Sequence, residues 1–458
     1  MVVDTVIEGG RIVSGDRSFE GAVAIDEGTI VGLGDPRHLP DARRTIDATG
    51  RLVMPGIVDP HVHIDDHVSI DSYETATKAA ALGGVTTVID FAWQAWEGEG
   101  SPWDEEGTLL DGLERKREKA ADALIDYGFH GGLLREGSDF FDEVEDVIDA
   151  GVTSFKMYTA YEFGLSNGYI TRVLDRLADL DAVGVGHTED DSVCEAVTDT
   201  LREEGHGPSV YPTSRPDYAE AMAADDVART ARELGAKYYG IHTSCRKSAE
   251  AIERYQADGS LIRGETCTHY TTLTGDLHEE LGNLPRIAPP LRSDDDIDAL
   301  FDALRRDVLH VVSTDHVAQT REAKENSEWW EGPFGANGLQ VSLPVFHDEA
   351  VNERDLSYTL LTQVMSRNPA ETFGLADKGT LDPGTDADIV LFDPDAEYTI
   401  TAADNASKAD YSIYEGRTVR GRVDATLVRG EVVVEDGEVV GDPGHGEFVE
   451  RELPDWSA

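Results

Sequence analysis

The chain has 458 residues, of which 39 are Lys or Arg and 91 are Asp or Glu, giving a formal net charge of −52. A chain of this length can bury a large core, so it is not a small disulfide-held fold, and its three cysteines lack Cys-x-x-Cys spacing. The negative charge is spread along the whole chain and would repel nucleic acid and anionic membranes, so neither is expected as a partner.

The composition predicts a halophilic, cytoplasmic protein. Only nine of the 39 basic residues are Lys, and acidic runs such as 294–296 are common. Counterions at high salt would screen the repulsion between such charges. An acidic protein from an ordinary organism is the alternative. No basic-then-apolar leader and no long apolar span is recognisable.

Residues 1–52 are predicted to form short strands joined by tight turns. Apolar and polar residues alternate over 5–13 and 21–31, with Gly after polar residues. Strand-like segments return after Gly379, at 387–393 and 425–434. The simplest arrangement joins 1–52 and 379–458 into one small β-sandwich domain.

Residues 53–378 alternate strand-like and helical segments. Apolar runs at 84–90, 152–156 and 309–315 are separated by helical stretches such as 216–234 and 294–306. Repeated β then α units over this length predict an α/β protein with a (β/α)8 barrel, and a doubly wound sheet is the alternative.

A pair of histidines, His61 and His63, closes the hydrophobic run that follows Pro55-Gly56. Alternate residues of a strand lie on one face, so both imidazoles can point at one cation. Short strands also bury structural histidines, which leaves this pair ambiguous by itself.

Other polar residues also follow apolar runs, where barrel enzymes build their active sites. They are Lys156, His187, His242 and Asp315. Each has a structural alternative, since a lysine can snorkel, a histidine can be a satisfied core residue and an aspartate can cap a helix. Together with the histidine pair, they predict a site for divalent metals such as zinc.

A protonated lysine cannot bind a metal, so Lys156 must be neutral or modified. Burial at a strand end would lower its pKa, and the free amine could take up carbon dioxide to form a carbamate that bridges two cations. Two cations sharing a water molecule would lower the pKa of that water and so supply a hydroxide nucleophile. Hydrolysis of a carbonyl compound is the predicted reaction class.

Five segments resemble the cyclic amidohydrolases of the amidohydrolase superfamily, in the dihydropyrimidinase/hydantoinase group with allantoinase nearby. They are residues 54–63, 154–161, 264–267, 313–316 and 379–388, and the resemblance covers nearly the whole chain. It implies a homotetramer acting on a small cyclic amide.

The resemblance also implies the roles of site residues. An N6-carboxylated Lys156 would bridge two divalent metal ions, expected to be zinc. His61, His63 and Asp315 would complete the shell of one ion, and His187 and His242 that of the other. The bridging hydroxide would attack the ring carbonyl, with Asp315 as general base and then acid. Tyr161 would donate a hydrogen bond to the developing oxyanion.

Substrate-binding positions give a mixed signal. Tyr161 favours the dihydropyrimidinase/hydantoinase side over allantoinase. Asp65 stands where dihydroorotases carry an arginine clamp, so dihydroorotate is disfavoured. In dihydropyrimidinases a Ser and an Asn usually bind the ring, and Ala288 and Phe334 stand at those positions in this chain. The segment 338–351 looks closer to allantoinase.

The candidate substrate contacts are therefore Tyr161, Ala288, Phe334 and Asn337. Trp93 and Trp96 could line the pocket or an interface, while His269 and His316 are expected to be supporting or packing residues.

The leading prediction is a binuclear-metal-dependent hydrolase that opens a cyclic amide or ureide ring of dihydropyrimidine or hydantoin type. Allantoinase is the enzymatic alternative. A regulatory or assembly homologue that has lost its metal ligands is the non-enzymatic one, and the retention of all six ligand-type residues argues against it.

Overall fold

A computed structural model describes residues 2–96 and 105–456, except for the side chain of Trp96. The strands are β1 (Val2–Val13), β2 (Ser18–Asp26), β3 (Thr29–Gly34), β4 (Asp41–Asp47), β5 (Leu52–Pro55), β6 (Ile57–Asp59), β7 (Val85–Trp93), β8 (Ala95–Trp96), β9 (Glu105–Glu106), β10 (Asp126–Gly132), β11 (Ser154–Tyr158), β12 (Val183–His187), β13 (Lys237–Gly240), β14 (Ile262–Cys267), β15 (Val311–Ser313), β16 (Ile389–Thr399), β17 (Thr418–Val428), β18 (Glu431–Glu435) and β19 (Glu438–Val439). The α-helices are α1 (Tyr73–Leu82), α2 (Leu109–Lys119), α3 (Asp139–Asp149), α4 (Asn167–Asp179), α5 (Asp191–Glu203), α6 (Tyr211–Ser214), α7 (Asp217–Leu234), α8 (Arg246–Gln256), α9 (Leu277–Leu281), α10 (Asp294–Arg305), α11 (Arg321–Glu325), α12 (Ser342–His347), α13 (Tyr358–Thr362) and α14 (Asn368–Phe373).

Eight parallel strands form a nearly closed barrel. They pair in chain order, from β6 through β7 and β10 to β15. A parallel bridge between Val62 and His316 brings the first and last strands together, and the His63 N–H donates to the His316 carbonyl at 2.8 Å. The predicted barrel is confirmed, and the strand order lacks the reversal that a doubly wound sheet requires.

The helices around the barrel follow from amphipathic spacing. In α7, Ala223, Val227 and Ala231 recur every four residues and are buried. The helix ends where Gly235 takes a left-handed conformation with φ +68°, which costs little without a Cβ. Among the described residues no helix is both long and apolar enough to cross a membrane.

The two ends of the chain combine in a second sheet, as predicted. Its nine strands run in the order β19-β18-β17-β16-β5-β1-β2-β3, and β4 also pairs with β1. The predicted segments 21–31 and 425–434 each divide at a turn, at Glu27-Gly28 and Arg429-Gly430. Buried residues from several of these strands, such as Ile7, Val53 and Leu427, form its core.

Candidate metal centre

The predicted ligand residues all lie at the carboxyl ends of barrel strands. Because the strands are parallel, those ends meet at one mouth of the barrel, and the six side chains converge there. They are buried, with exposed fractions between 0% and 8%. They are His61 and His63 after β6, Lys156 in β11, His187 at the end of β12, His242 after β13 and Asp315 after β15.

His61, His63 and Asp315 form one compact group. Their ligand atoms lie within 4.8 Å of one another. Oδ1 of Asp315 is 3.1 Å from Nε2 of His61 and 3.5 Å from Nε2 of His63. The His61 Nε2 atom is buried without a hydrogen-bond partner. An orphaned nitrogen facing a carboxylate and a second imidazole is the donor set that a divalent metal would satisfy.

Glu265 fixes the orientation of His61. Its Oε1 lies 2.6 Å from His61 Nδ1, and it also accepts from the His242 N–H at 3.1 Å. Tyr239 donates to its other oxygen at 2.9 Å. A carboxylate on Nδ1 selects the tautomer that leaves Nε2 free as a ligand. Sequence reasoning assigned Glu265 no role, although an acid near the end of β14 was the available signal.

His187 and His242 form a second group beside the first. Nδ1 of His187 lies 2.8 Å from Nε2 of His242, and the His242 ring centre is 5.4 Å from that of His61. Nε2 of His187 is 3.1 Å from Glu189, which in turn pairs with Arg215. Burial lowers the pKa of both histidines, which favours the neutral imidazoles that bind metals.

Lys156 is held in an apolar setting. It is 1% exposed, and its Nζ lies 4.9 Å from the Phe91 ring centre and 4.8 Å from that of Tyr158. Within residues 2–96 and 105–456 it forms no ion pair. Burial lowers the pKa of Lys156 to about 7, although Asp315 and Glu265 act in the opposite direction. A substantial fraction of the amine is therefore unprotonated near neutral pH, as carbamate formation requires.

Asp315 is ionised in this setting. Burial alone would raise its pKa, but His61 and His63 outweigh that effect and hold it well below its usual range. The reciprocal effect appears on His63, where Asp315 and Asp66 overcome burial and raise the pKa to about 9. A carboxylate fixed between two imidazoles can bind a cation or accept a proton.

Three residues of the candidate site have a left-handed backbone. His242, Asp315 and Tyr161 have φ of +37°, +46° and +72°. Side chains with a Cβ rarely adopt these values, and such residues cluster at functional sites. Seven other described non-glycine residues share this conformation, among them Glu27 and Arg429 at hairpin turns, so it accompanies the candidate site without identifying it.

A neighbouring acidic group already has a buried lysine as its partner. Asp66 and Asp90 lie near His63. The Lys116 ammonium is 2.8 Å from Asp90 and 3.6 Å from Asp66, and Trp93 donates to Asp66 at 3.1 Å. This group therefore has its own cation, and its Asp66 lies 3.8 Å from Nδ1 of His63.

Two of the candidate substrate residues lie together on the His187 side. The half-buried Tyr161 ring is 5.0 Å from the His187 ring and 5.8 Å from the Phe334 ring, measured between centres. Ala288 is buried in a neighbouring loop, whose Arg286 carbonyl accepts from the Gly335 N–H at 3.0 Å. The two candidate substrate loops are thus joined directly.

Asn337 lies on the other side, near Asp315. It lines a small cavity with Thr314 and His269, and its Oδ1 is buried without a partner. His269 also has an unpartnered buried Nε2, and burial lowers its pKa to about 4. His316 contacts Asp71 at 2.9 Å and accepts from the Gly338 N–H, so it supports the loop that carries Asn337.

Of Trp93 and Trp96, Trp93 packs in the candidate site. It is 6% exposed, and its ring centre lies 6.0 Å from that of His63 and 6.1 Å from that of Tyr158. This position favours the pocket-lining alternative for Trp93. The side chain of Trp96 lies outside the described part of the chain.

Comparisons with known proteins match this architecture. A family model described as "Amidohydrolase family" matches residues 52–433. A D-hydantoinase of Ralstonia pickettii is 34% identical over 98% of this chain and 99% of the relative. An allantoinase of Salmonella choleraesuis is 30% identical over 98% of this chain and 99% of the relative. The crystal structure of a dihydropyrimidinase from Brevibacillus agri has a TM-score of 0.92 and 30% identity, and covers 98% of this chain and 99% of that one.

Proposed function

Because this chain belongs to the amidohydrolase family and is a cyclic amide hydrolase, we propose that it opens a hydantoin or dihydropyrimidine ring with two bound divalent metal ions. The family resemblance predicted from the motifs is confirmed. The observation that carries the proposal is the convergence of six ligand-type residues on one barrel mouth, with the His61 Nε2 atom left without a partner.

The two ions, proposed to be zinc, would be held by the residues already described. His61, His63 and Asp315 would bind one ion, His187 and His242 the other, and an N6-carboxylated Lys156 would bind both. The compact His61 group and the neutral buried imidazoles support this assignment. When bound, such ions lower the pKa of water toward neutrality and polarise a carbonyl oxygen.

Asp315 is proposed as the general base and then the general acid. Its carboxylate is ionised and 93% buried, so it is ready to take a proton from a water and deliver it to the leaving ring nitrogen. Its left-handed backbone and its contacts with His61 and His63 fix the position of the accepting oxygen.

Tyr161 is proposed to donate a hydrogen bond to the oxyanion. Burial raises the pKa of its phenol well above the ordinary value, although Arg215 acts in the opposite direction. The group therefore stays protonated and remains a donor. A pre-oriented donor at the developing charge strengthens in the transition state, which is what accelerates the reaction.

Allantoin is the second candidate substrate. The observations that favour it are the full-length similarity to an allantoinase and the replacement of the usual ring-binding Ser and Asn by Ala288 and Phe334. Tyr161 favours the hydantoin or dihydropyrimidine assignment. We further propose a homotetramer, on the family resemblance alone.

The test is ring-opening hydrolysis by the zinc-loaded protein in molar salt. The substrates are dihydrouracil, hydantoins with small and aromatic substituents, allantoin and dihydroorotate. Turnover of dihydrouracil or a hydantoin that a chelator abolishes supports the proposal. Turnover of allantoin alone supports the second candidate, and turnover that persists after metal removal contradicts the metal assignment.

A further inference from the structure

Two buried arginines flank Phe334 beside the candidate site. The Arg286 guanidinium carbon lies 3.9 Å from the Phe334 ring centre, and that of Arg215 lies 5.5 Å from it. Arg215 is also 5.6 Å from the ring centre of Tyr161, the proposed oxyanion donor. Two guanidinium groups therefore lie beside the candidate substrate residues Phe334 and Tyr161.

The two arginines differ in how their charge is balanced. Arg215 forms a two-point pair with Glu189, at 2.9 Å and 2.5 Å. Arg286 has no carboxylate within ion-pair distance among the described residues. Its Nε donates to the Trp329 carbonyl at 2.9 Å, while its Nη1 is buried without a partner.

An unbalanced guanidinium in such a place is costly. Arg286 is 3% exposed, and burying a charge with an unmade hydrogen bond costs free energy unless an opposite charge pairs with it. Burial lowers the pKa of Arg286 and the neighbouring Arg215 acts in the same direction, while Tyr211 and Tyr161 act against them. The two lowering effects would be relieved by an anion placed against Arg286.

Arg286 is also built into the substrate loops. It precedes the candidate contact Ala288 by two residues. Its carbonyl accepts from the Gly335 N–H and, at 2.8 Å, from Nζ of the buried Lys324, which donates to the Gly335 carbonyl as well. These bonds hold the Arg286 backbone against the loop that carries Phe334, so the guanidinium is positioned rather than free.

We propose that Arg286, reinforced by Arg215, forms a subsite for an anionic substituent on the substrate ring. The substrate class is then a hydantoin or dihydropyrimidine that carries a carboxylate on a short alkyl chain. A planar guanidinium matches a carboxylate through two parallel hydrogen bonds, and the Phe334 ring offers an apolar surface for the alkyl chain. The inference rests on the proposed function and deepens it.

This subsite differs from the arginine clamp of dihydroorotases. Asp65 stands at that position and pairs with Lys119 at 2.8 Å, on the side of the site that carries His63. Arg286 lies on the opposite side, next to Phe334 and Tyr211. A carboxylate bonded directly to the ring is therefore not the ligand inferred here.

The experiment compares a carboxyethyl hydantoin with its neutral carboxamide analogue on the zinc-loaded protein. We expect wild type to prefer the carboxylate in kcat/KM, and Arg286→Met to lower that preference roughly tenfold or more, because hydrogen bonds to charged groups contribute about 1.5–3 kcal/mol. Arg286→Lys should retain part of the preference. Arg263→Met is the matched control, since Arg263 also stacks on an aromatic ring, 4.8 Å from Trp456, and lines a separate cavity with His310 and Asn368.

A wild-type protein that does not prefer the carboxylate overturns the subsite, and this comparison needs no variant to fold. An equal preference in wild type and Arg286→Met overturns it as well. If neither compound is hydrolysed, the proposed function fails, and calorimetric binding of the same two compounds to the same proteins tests the subsite separately. Tighter carboxylate binding that Arg286→Met removes would then support it, and equal binding would reject it.

Discussion

Replacing Glu265 by Gln should weaken metal binding without disturbing the fold. The carboxylate is fully buried and accepts from His61, His242 and Tyr239. A glutamine can keep its oxygen toward the two histidines and turn its NH2 toward the Tyr239 oxygen, which accepts as readily as it donates. The hydrogen bonds therefore persist, and the change isolates the loss of negative charge behind His61.

The expected size follows from the role of that charge. A carboxylate on the far nitrogen raises the basicity of a ligating imidazole, and removing such a partner costs about 10- to 100-fold in metal affinity. That range corresponds to roughly 1.4–2.7 kcal/mol of binding free energy. The measurement is competition for zinc between the protein and a chromophoric chelator, with metal content after dialysis as a second readout.

Glu143→Gln is the matched control. Glu143 is 8% exposed and accepts from the Leu109 N–H at 2.9 Å, where it contacts none of the proposed ligands. The zinc affinity of this variant should equal that of the wild-type protein. The melting temperatures of the metal-free proteins show whether either substitution disturbs folding, separately from its effect on zinc binding. An unchanged affinity in Glu265→Gln, or an equal loss in Glu143→Gln, would refute the reasoning.

Four further predictions address the reaction, the lysine, the salt dependence and the pH dependence. Tyr161→Phe should lower kcat by about 10²–10³-fold, which corresponds to a loss of about 2.7–4 kcal/mol of transition-state stabilisation, while the metal content stays unchanged. Unaltered turnover removes Tyr161 from the mechanism. Carbon-13 bicarbonate should give a carbamate signal by NMR that Lys156→Met lacks; the same spectrum from both proteins contradicts carboxylation. Dialysis from molar to low salt should unfold or inactivate the protein, because the repulsion within a net charge of −52 is then unscreened, and full stability at low salt contradicts the halophilic interpretation. Burial lowers the pKa of His278 and His310 from 6.5 to about 4, so unfolding free energy should be highest above pH 6.5 and fall toward pH 4, where the unfolded chain binds more protons. His278→Gln should flatten that slope, and a slope equal to wild type would contradict the assignment.

The barrel, and the placement of the candidate ligands at its strand ends, could be predicted because both depend on local patterns. Strand and helix periodicity is visible within short segments, and a barrel brings the ends of all its parallel strands to one mouth. A residue that directly follows an apolar run, such as His187 or Asp315, is therefore placed by topology alone. No contact between distant segments had to be known.

Glu265 and Arg286 could not be assigned in this way because their roles depend on such contacts. Glu265 meets His61 across 204 positions of sequence. Arg286 meets Phe334 across two loops that only the fold brings together, and its unpartnered Nη1 is a property of the packed structure. A sequence shows that a residue is charged, but not whether its charge is balanced.

The two ring-binding positions that differ from dihydropyrimidinases, Ala288 and Phe334, lie apart from the six ligand-type residues, and there is a physical reason for this. Two metal ions and a bridging lysine need all six ligand-type side chains, so a change at any of them would remove the chemistry. The wall with Ala288, Phe334 and Arg286 is proposed to contact only the ring and its substituent. The bonds from Lys324 Nζ to the Arg286 and Gly335 carbonyls hold those loops through their backbone, and this support is independent of the side chains they present. Substrate preference can therefore change there while the proposed metal centre and the proposed general base, Asp315, keep their geometry.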